Sequence, residues 1–433
     1  AVLALAACGK LKTEPAAAPA AAMPSAAAPS VASDPAIVEA DLRRHIATLA
    51  SDAYEGRAPM TPGGEKTREY IAGELSRLGY KPFGGSYMQS VPLVEATVDP
   101  AKSFFRIATP KSSIDLEWRK DVVFWSKRVV DIATVNKTDV VFVGYGVVAP
   151  EAGWNDYAGV DVKGKTVVIL VNDPGYKTGD ASLFGGKAMT YYGRWTYKYE
   201  EAARQGAAAA LIVHDDAAAA YGWGVVEGSW TGPQIDLARP GDGADRAAIE
   251  GWISNAAARR VFAAAGLDFA KLETAANKRG FKSVTMKGLK ASGAATQSVR
   301  RNEDANVVGV LPGTERPDEY VLYTAHWDHL GMDPDADGAD KVFNGAVDNA
   351  TGVAAILEIA EKFAAKPPKR SIVIAAVTAE ESGLLGSAWL ADHFPAPLAK
   401  VVAGINIDAM LPTPRTKDIT VIGYGLSELD DVL

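Results

Sequence analysis

Residues 320–349 read Tyr320-Val-Leu-Tyr-Thr-Ala325-His326-Trp-Asp328-His329-Leu-Gly-Met-Asp-Pro-Asp-Ala-Asp-Gly-Ala-Asp-Lys-Val-Phe-Asn344-Gly-Ala-Val-Asp348-Asn349. The run Tyr320 to Ala325 is rich in β-branched and aromatic residues and predicts a buried strand, with His326 emerging at its carboxyl end. In open α/β sheets that edge is where ligands bind. An imidazole there suits zinc and similar ions, and Asp328, two residues on, is placed to hold the other ring nitrogen. Alone, a His-x-Asp is more often two polar residues finishing a strand than a metal site. The segments that follow change that balance.

Beyond an acidic loop, Asn344-Gly-Ala-Val-Asp348-Asn-Ala-Thr-Gly leads into a stretch whose apolar residues Val353, Ile356, Leu357, Ala360 and Phe363 keep helical spacing. Asp348 therefore stands just before a helix. Ser371-Ile-Val-Ile-Ala-Ala-Val-Thr378 predicts a second buried strand, delivering Glu380 and Glu381 at its carboxyl end. Val401-Val-Ala-Gly-Ile-Asn-Ile407 predicts a third, ending in Asp408. Three strands thus deliver ionisable side chains to one sheet edge. Uncompensated carboxylates in such a place repel one another and resist desolvation, so the cluster implies a cation. One imidazole among several carboxylates suits zinc, or manganese or cobalt. Asp348 could bridge two ions, and one Glu of the pair must stay off the metal to accept a proton from water. Spacing alone does not say which.

Here the chain resembles the M28 family of co-catalytic metallopeptidases. The matching segments are T-A-H326-W-D328-H-L-G, N-G-A-V-D348-N-A-T-G, A-E380-E381-S-G-L-L-G-S and I-N-I-D408, with L-A-S-D-A-Y-E-G-R57 nearer the amino terminus. The resemblance implies a three-layer α/β/α fold with a mixed sheet and two zinc ions. It makes His326 and Asp408 ligands of one zinc, Asp348 the bridge and Glu381 a ligand of the other. Glu380 becomes the general base and Asp328 the orienter of His326. It implies peptide substrates cut from the amino terminus; a glutamate-type carboxypeptidase, a single-zinc glutaminyl cyclase and a non-catalytic binding scaffold are its alternatives. The family also places a further histidine downstream of the Asp408 position. The chain's histidines are His45, His214, His326, His329 and His393, so the expectation is a fragment whose fifth ligand lies beyond Leu433.

The rest of the 433 residues is consistent with an exported, globular protein. Apolar residues make up 48% and charged residues 23%, as in ordinary globular chains. A formal charge of −8 and the lack of a basic patch argue against nucleic acid as a partner. Leu5-Ala-Ala-Cys8-Gly resembles a bacterial lipobox, so Cys8, the one cysteine, is expected to carry a lipid and tether the protein to the cell envelope. The outer membrane facing the periplasm, or secretion, is the expected location. Residues 1–33 are then signal remnant and an Ala/Pro-rich tether, 34–120 the amino-terminal part of the peptidase domain, 121–297 an insertion and 298–433 the catalytic core. Within the insertion, V-G-Y-G-V-V-A-P, W-N-D-Y-A-G-V-D-V-K-G-K-T-V-V and E-A-A-R-Q-G-A-A-A-A-L-I-V resemble a protease-associated (PA) domain of β-rich α+β type.

Other motifs carry less. Gly159-Val-Asp-Val-Lys-Gly-Lys165-Thr166 fits a phosphate-loop pattern, yet a loop precedes it and a β-branched strand follows, so no helix dipole faces a phosphate. Asp333-Pro-Asp-Ala-Asp-Gly338 starts like an EF-hand loop, but its twelfth position is Asn344 and no helix flanks it; a solvated acidic loop, with weak calcium binding left open, is expected. His329, His214 and His393 read as structural or solvated, and Tyr221, Trp223 and Trp230 as packing residues.

Overall fold

The computed structural model describes residues 37–333 and 338–410 together with Lys417. Cys8 and the 1–33 segment lie outside the described residues. The chain forms two compact units. One joins residues up to Val91 with Asp304–Pro412, and the other runs from Pro92 to Glu303.

The first unit is built on the strands predicted above. Arg316–His326 pairs in parallel with Arg370–Val377 on one side and Val401–Asn406 on the other. Residues 307–311, the end of the strand Val284–Leu311, run antiparallel to Arg370–Val377, and Lys81–Pro82 pairs antiparallel beyond them. The result is a mixed sheet. Alternation along Arg370–Val377 sorts its side chains between two faces. Ile372, Ile374 and Ala376 pack with Leu49 of helix Glu39–Leu49, with Ile71 and Leu75 of helix Pro62–Arg77, and with Val353, Ile356 and Leu357 of helix Thr351–Ala365. Val373, Ala375 and Val377 pack on the other side with Leu390 of helix Leu385–Asp392. Helices on both faces give three layers, and each fully buried Ile or Leu contributes about 1.5–3 kcal/mol.

Local signals set the helix ends. Thr61 Oγ1 accepts from Gly64 N at 3.2 Å, and Pro62 occupies the first turn where its missing N–H costs nothing. Gly79, at φ 80°, stops that helix and lets Tyr80 N reach Leu75 O.

The second unit is also α/β. Residues 140–142 of strand Ile132–Phe142, then Thr166–Leu170, Ala209–Val213 and Ile249–Ile253, lie parallel in that order, and Val122–Trp125 closes the edge antiparallel. Helix Asn255–Ala264 covers Val140, Phe142, Val168, Leu170 and Leu211. Helix Trp195–Arg204 covers the alternate residues Val141, Val167, Ile169 and Ile212. Met88–Val98 pairs with the strand Val284–Leu311 and, through residues 93–96, with Gln234–Leu237, whereas Phe104–Ala108 pairs with residues 290–294 and with Ser113–Leu116. Short apolar runs reveal that a strand exists; they do not reveal its neighbour.

Candidate metal centre

Register brings the predicted residues together. His326 pairs with Val377, two residues before Ala379, and Thr324 pairs with Asn406 while its carbonyl accepts from Ile407 N at 2.9 Å. All three strands therefore end level, and His326, Glu380 and Asp408 leave the same edge. Asp348 enters from a tight turn over Ala346–Ala350 that feeds helix Thr351–Ala365.

His326 is 2% exposed and has an acid on each ring nitrogen's side. Its Nε2 lies 3.0 Å from Asp348 Oδ1 and 3.1 Å from Asp408 Oδ1. Its Nδ1 faces the backbone carbonyl of Asp328 at 3.1 Å, while the Asp328 carboxylate stands 3.7 Å away. That carboxylate accepts instead from Glu380 N at 3.0 Å and Glu381 N at 3.4 Å. Asp328 thus orients His326 through its backbone and the two glutamates through its side chain. Ala379, fully buried at φ 51°, makes the left-handed turn before them, a conformation that costs a non-glycine residue about 1 kcal/mol or more.

Donor atoms of His326, Asp348 and Glu381 lie within 4.8 Å of one another, one group of the size a metal ion needs. Asp348 Oδ1 is buried with no hydrogen bond of acceptable geometry, although His326 Nε2 is close. An orphaned carboxylate oxygen crowded against an imidazole nitrogen and further acids is the donor set of a hard-to-intermediate dication, and it fits zinc. The electrostatics agree. Burial disfavours a charged His326, but Asp328, Asp348 and Asp408 outweigh it and hold a proton on the ring far above the usual range. Burial, reinforced by Asp328, Glu381 and Asp408 and opposed by His326, pushes Glu380 up to about 8. Burial also raises Glu381, against the hydrogen bond from His329.

Three supporting groups had no clear signature in the sequence. Arg57, 1% exposed, donates to the carbonyls of Leu49, Trp327, Asn344 and Gly345 at 2.6–3.0 Å and so ties both ligand loops to the amino-terminal segment. Burial lowers it to about 10, with Asp328, Asp348 and Glu381 pulling it back up. Asn349 accepts from Gly352 N and Ala409 N and donates to Ile407 O, and Thr351 Oγ1 accepts from Met410 N, which together fix the Asp408 loop on the helix start. Gly352 has no room for a Cβ, which would sit 2.3 Å from Asn349 Oδ1. His329, read above as structural, lies 2.7 Å from Glu381 Oε1.

The remaining motifs fall elsewhere. His214 is buried with Nε2 on Asp216 at 2.9 Å, and His393 stacks on Trp389 with ring centroids 3.6 Å apart. Trp230 packs among Trp125, Trp195 and Tyr199, and Trp223 and Tyr221 lie against His214. Thr166 opens a strand, not a helix. Residues 334–337 of the acidic loop lie outside the described residues.

A sheet edge that gathers one imidazole and several carboxylates around a dication-sized group is a candidate metal centre. Residues 306–433 match the family model for peptidase family M28. A probable zinc metalloprotease of Pyrenophora teres f. teres is 40% identical over 120 residues, covering 28% of this chain and 25% of that protein. Mouse aminopeptidase NAALADL1 is 36% identical over 111 residues, covering 24% of this chain and 13% of its own length. The chain thus spans a quarter or less of these two relatives. Among solved structures, an aminopeptidase from Aneurinibacillus sp. strain AM-1 aligns over 86% of this chain and 70% of its own, at 19% identity and a TM-score of 0.45.

Proposed function

We propose that the chain is the catalytic part of a zinc-dependent exopeptidase that removes residues from the amino terminus of peptides. The observation that carries this reading is the convergence of His326, Asp348 and Glu381 donor atoms within 4.8 Å at the strand edge. His326, Asp348, Glu381 and Asp408 would hold the metal, with Asp348 as the bridge where two ions bind. Zinc supplies a water of lowered pKa and a positive charge for the oxyanion. Glu380 stays off the metal, takes a proton from the attacking water and returns it to the leaving amine nitrogen as the C–N bond breaks. Asp328 fixes Glu380 for that transfer through the 3.0 Å bond to its backbone N–H. Arg57 keeps the His326 and Asp348 loops in place without taking a metal position.

We read residues 121–297, which lie within the 92–303 unit, as the protease-associated domain and Cys8 as the site of a lipid anchor in a bacterial envelope. Cys8→Ser should move the full-length protein from the membrane to the soluble fraction; an unchanged distribution removes the anchor. The test of the main reading is zinc per chain by elemental analysis of the full-length protein, followed by hydrolysis of aminoacyl anilides. Two ions with turnover support the dizinc aminopeptidase, one ion favours a cyclase, and none leaves a binding scaffold.

A further inference from the structure

His329 follows the metal-site strand by three residues, and its loop turns the ring back toward the second glutamate. Its Nδ1 lies 2.7 Å from Glu381 Oε1, with the His329 side chain 13% and the Glu381 side chain 23% exposed. The ring is held in place on its other sides. His329 N donates to Arg57 O at 3.2 Å, and Gly345, at φ 58°, leaves the space the ring occupies. A Cβ added at Gly345 would lie 2.6 Å from His329 Cδ2 and 2.5 Å from Arg57 Nη2. A glycine, a buried guanidinium and a metal-ligand carboxylate therefore frame one imidazole.

Building on the zinc-peptidase reading, we propose that His329 is a positioning residue of the metal centre: its Nδ1–H holds Glu381 Oε1, leaving the other carboxylate oxygen to a zinc ion. An ionised carboxylate only accepts, so Nδ1 must be the donor in this contact. Glu381 has a long side chain with several rotatable bonds, and on an exposed turn it would spread over many orientations. One charge-assisted hydrogen bond removes most of that freedom and directs the carboxylate at the Asp348 and His326 donors. His329 does not itself join the dication-sized group formed by His326, Asp348 and Glu381. Partners that hold a metal's ligands typically account for 10–100-fold in metal affinity.

The experiment compares His329→Asn with His329→Gln in the full-length protein. An asparagine amide places a donor where Nδ1 lies, and a glutamine amide places it where Nε2 lies. Zinc content is followed across graded chelator concentrations, and the visible absorption of cobalt(II)-loaded protein reports the ligand geometry without any turnover. The expected result is that His329→Gln releases the ion bound through Glu381 at about 10–100-fold lower chelator with an altered cobalt spectrum, while His329→Asn stays near wild type. Retention and spectra equal to wild type in both variants overturn the positioning role. A wild-type protein that retains no ion overturns the zinc-peptidase reading and this inference with it, so the two failures are distinct.

Discussion

The two units of this chain finish parallel strands in similar letters, His326-Trp-Asp328 in one and His214-Asp215-Asp216 in the other, yet among the described residues only the first gathers a dication-sized group of donor atoms. In the 92–303 unit the carboxylates at the strand ends meet partners one by one, although Asp173 keeps one buried oxygen, Oδ1, without a hydrogen bond. Asp215 accepts from Ala218 N and meets Lys177 Nζ at 3.0 Å, Asp216 takes His214 Nε2, and Asp173 accepts from Thr190 and faces the buried Lys198. In the other unit Asp328, Asp348, Glu380, Glu381 and Asp408 converge on one edge. The guanidinium nearest them spends its hydrogen bonds on carbonyls. Residue types at a strand end therefore do not mark a metal site, nor does one unsatisfied oxygen; several carboxylates converging on one edge do.

The largest effect that would test this contrast is on turnover. Glu380→Gln should keep the metal content of the full-length protein and lose about 10²–10⁴-fold in kcat, because only the proton acceptor is removed. Wild-type turnover would return Glu380 to the ordinary charged residues. Next comes an answered charge in the other unit. Glu250 is fully buried and pairs through both oxygens with Arg246, itself 6% exposed. Glu250→Gln strands that guanidinium and should cost about 3–5 kcal/mol in denaturant unfolding with zinc content unchanged. A near-neutral variant would mean that the pair is not what separates the two units.

A smaller pair of substitutions sets like against like. Asp348→Asn should abolish binding of at least one zinc by elemental analysis and also lower the thermal midpoint in chelator, since it removes a carboxylate whose ionised form His326 and Arg57 favour. Asp215→Ala removes a helix cap and a Lys177 contact, so it should lower unfolding free energy by about 1–2 kcal/mol and leave zinc untouched. If the two variants behave alike, the contrast between the units fails.

Much of the centre was legible because strand ends are set by local composition. Three apolar runs and their terminal residues put His326, Glu380, Glu381 and Asp408 on one edge, and a helix start put Asp348 beside them. The supports were not legible, because they act across long separations in sequence. Arg57 reaches carbonyls 270 and 288 residues away, and Asn349 joins the helix start to Ile407. His329 looked like a bystander because the sequence shows that it is near Asp328, not that its loop folds back on Glu381. The neighbours of Phe104–Ala108 were hidden for the same reason: pairing is a long-range choice that a five-residue run does not encode.

The subtlest effect separates two buried glutamates. Glu358, 3% exposed, is answered only by His45, whose Nε2 is 3.3 Å away. Arg44 Nη2 lies 3.1 Å from that same nitrogen and can only donate, so Nε2 is the acceptor and Nδ1 carries the proton toward Tyr70 Oη at 2.6 Å. Burial, with Asp41 and Glu361 adding to it, pushes Glu358 up to about 7, against Arg44 and Arg77. Burial, with Arg44 and Arg77, pulls His45 down to about 3. The pair is therefore neutral in the folded protein. Because the folded Glu358 binds its proton more tightly than the unfolded chain, its contribution to stability is lost as pH rises from the unfolded value of 4.5 toward about 7. His45 acts with the opposite sign over an overlapping range, since the unfolded imidazole protonates first and stability falls as pH drops from 6.5 toward about 3. Glu358→Gln keeps a neutral group of the same shape. The stability of Glu358→Gln relative to wild type, from denaturant unfolding, should grow by on the order of 1 kcal/mol between about pH 5 and about pH 8. Parallel profiles for the two proteins would show that Glu358 is ionised and answered like Glu250, and would erase the distinction between a charge the fold pairs and one it suppresses.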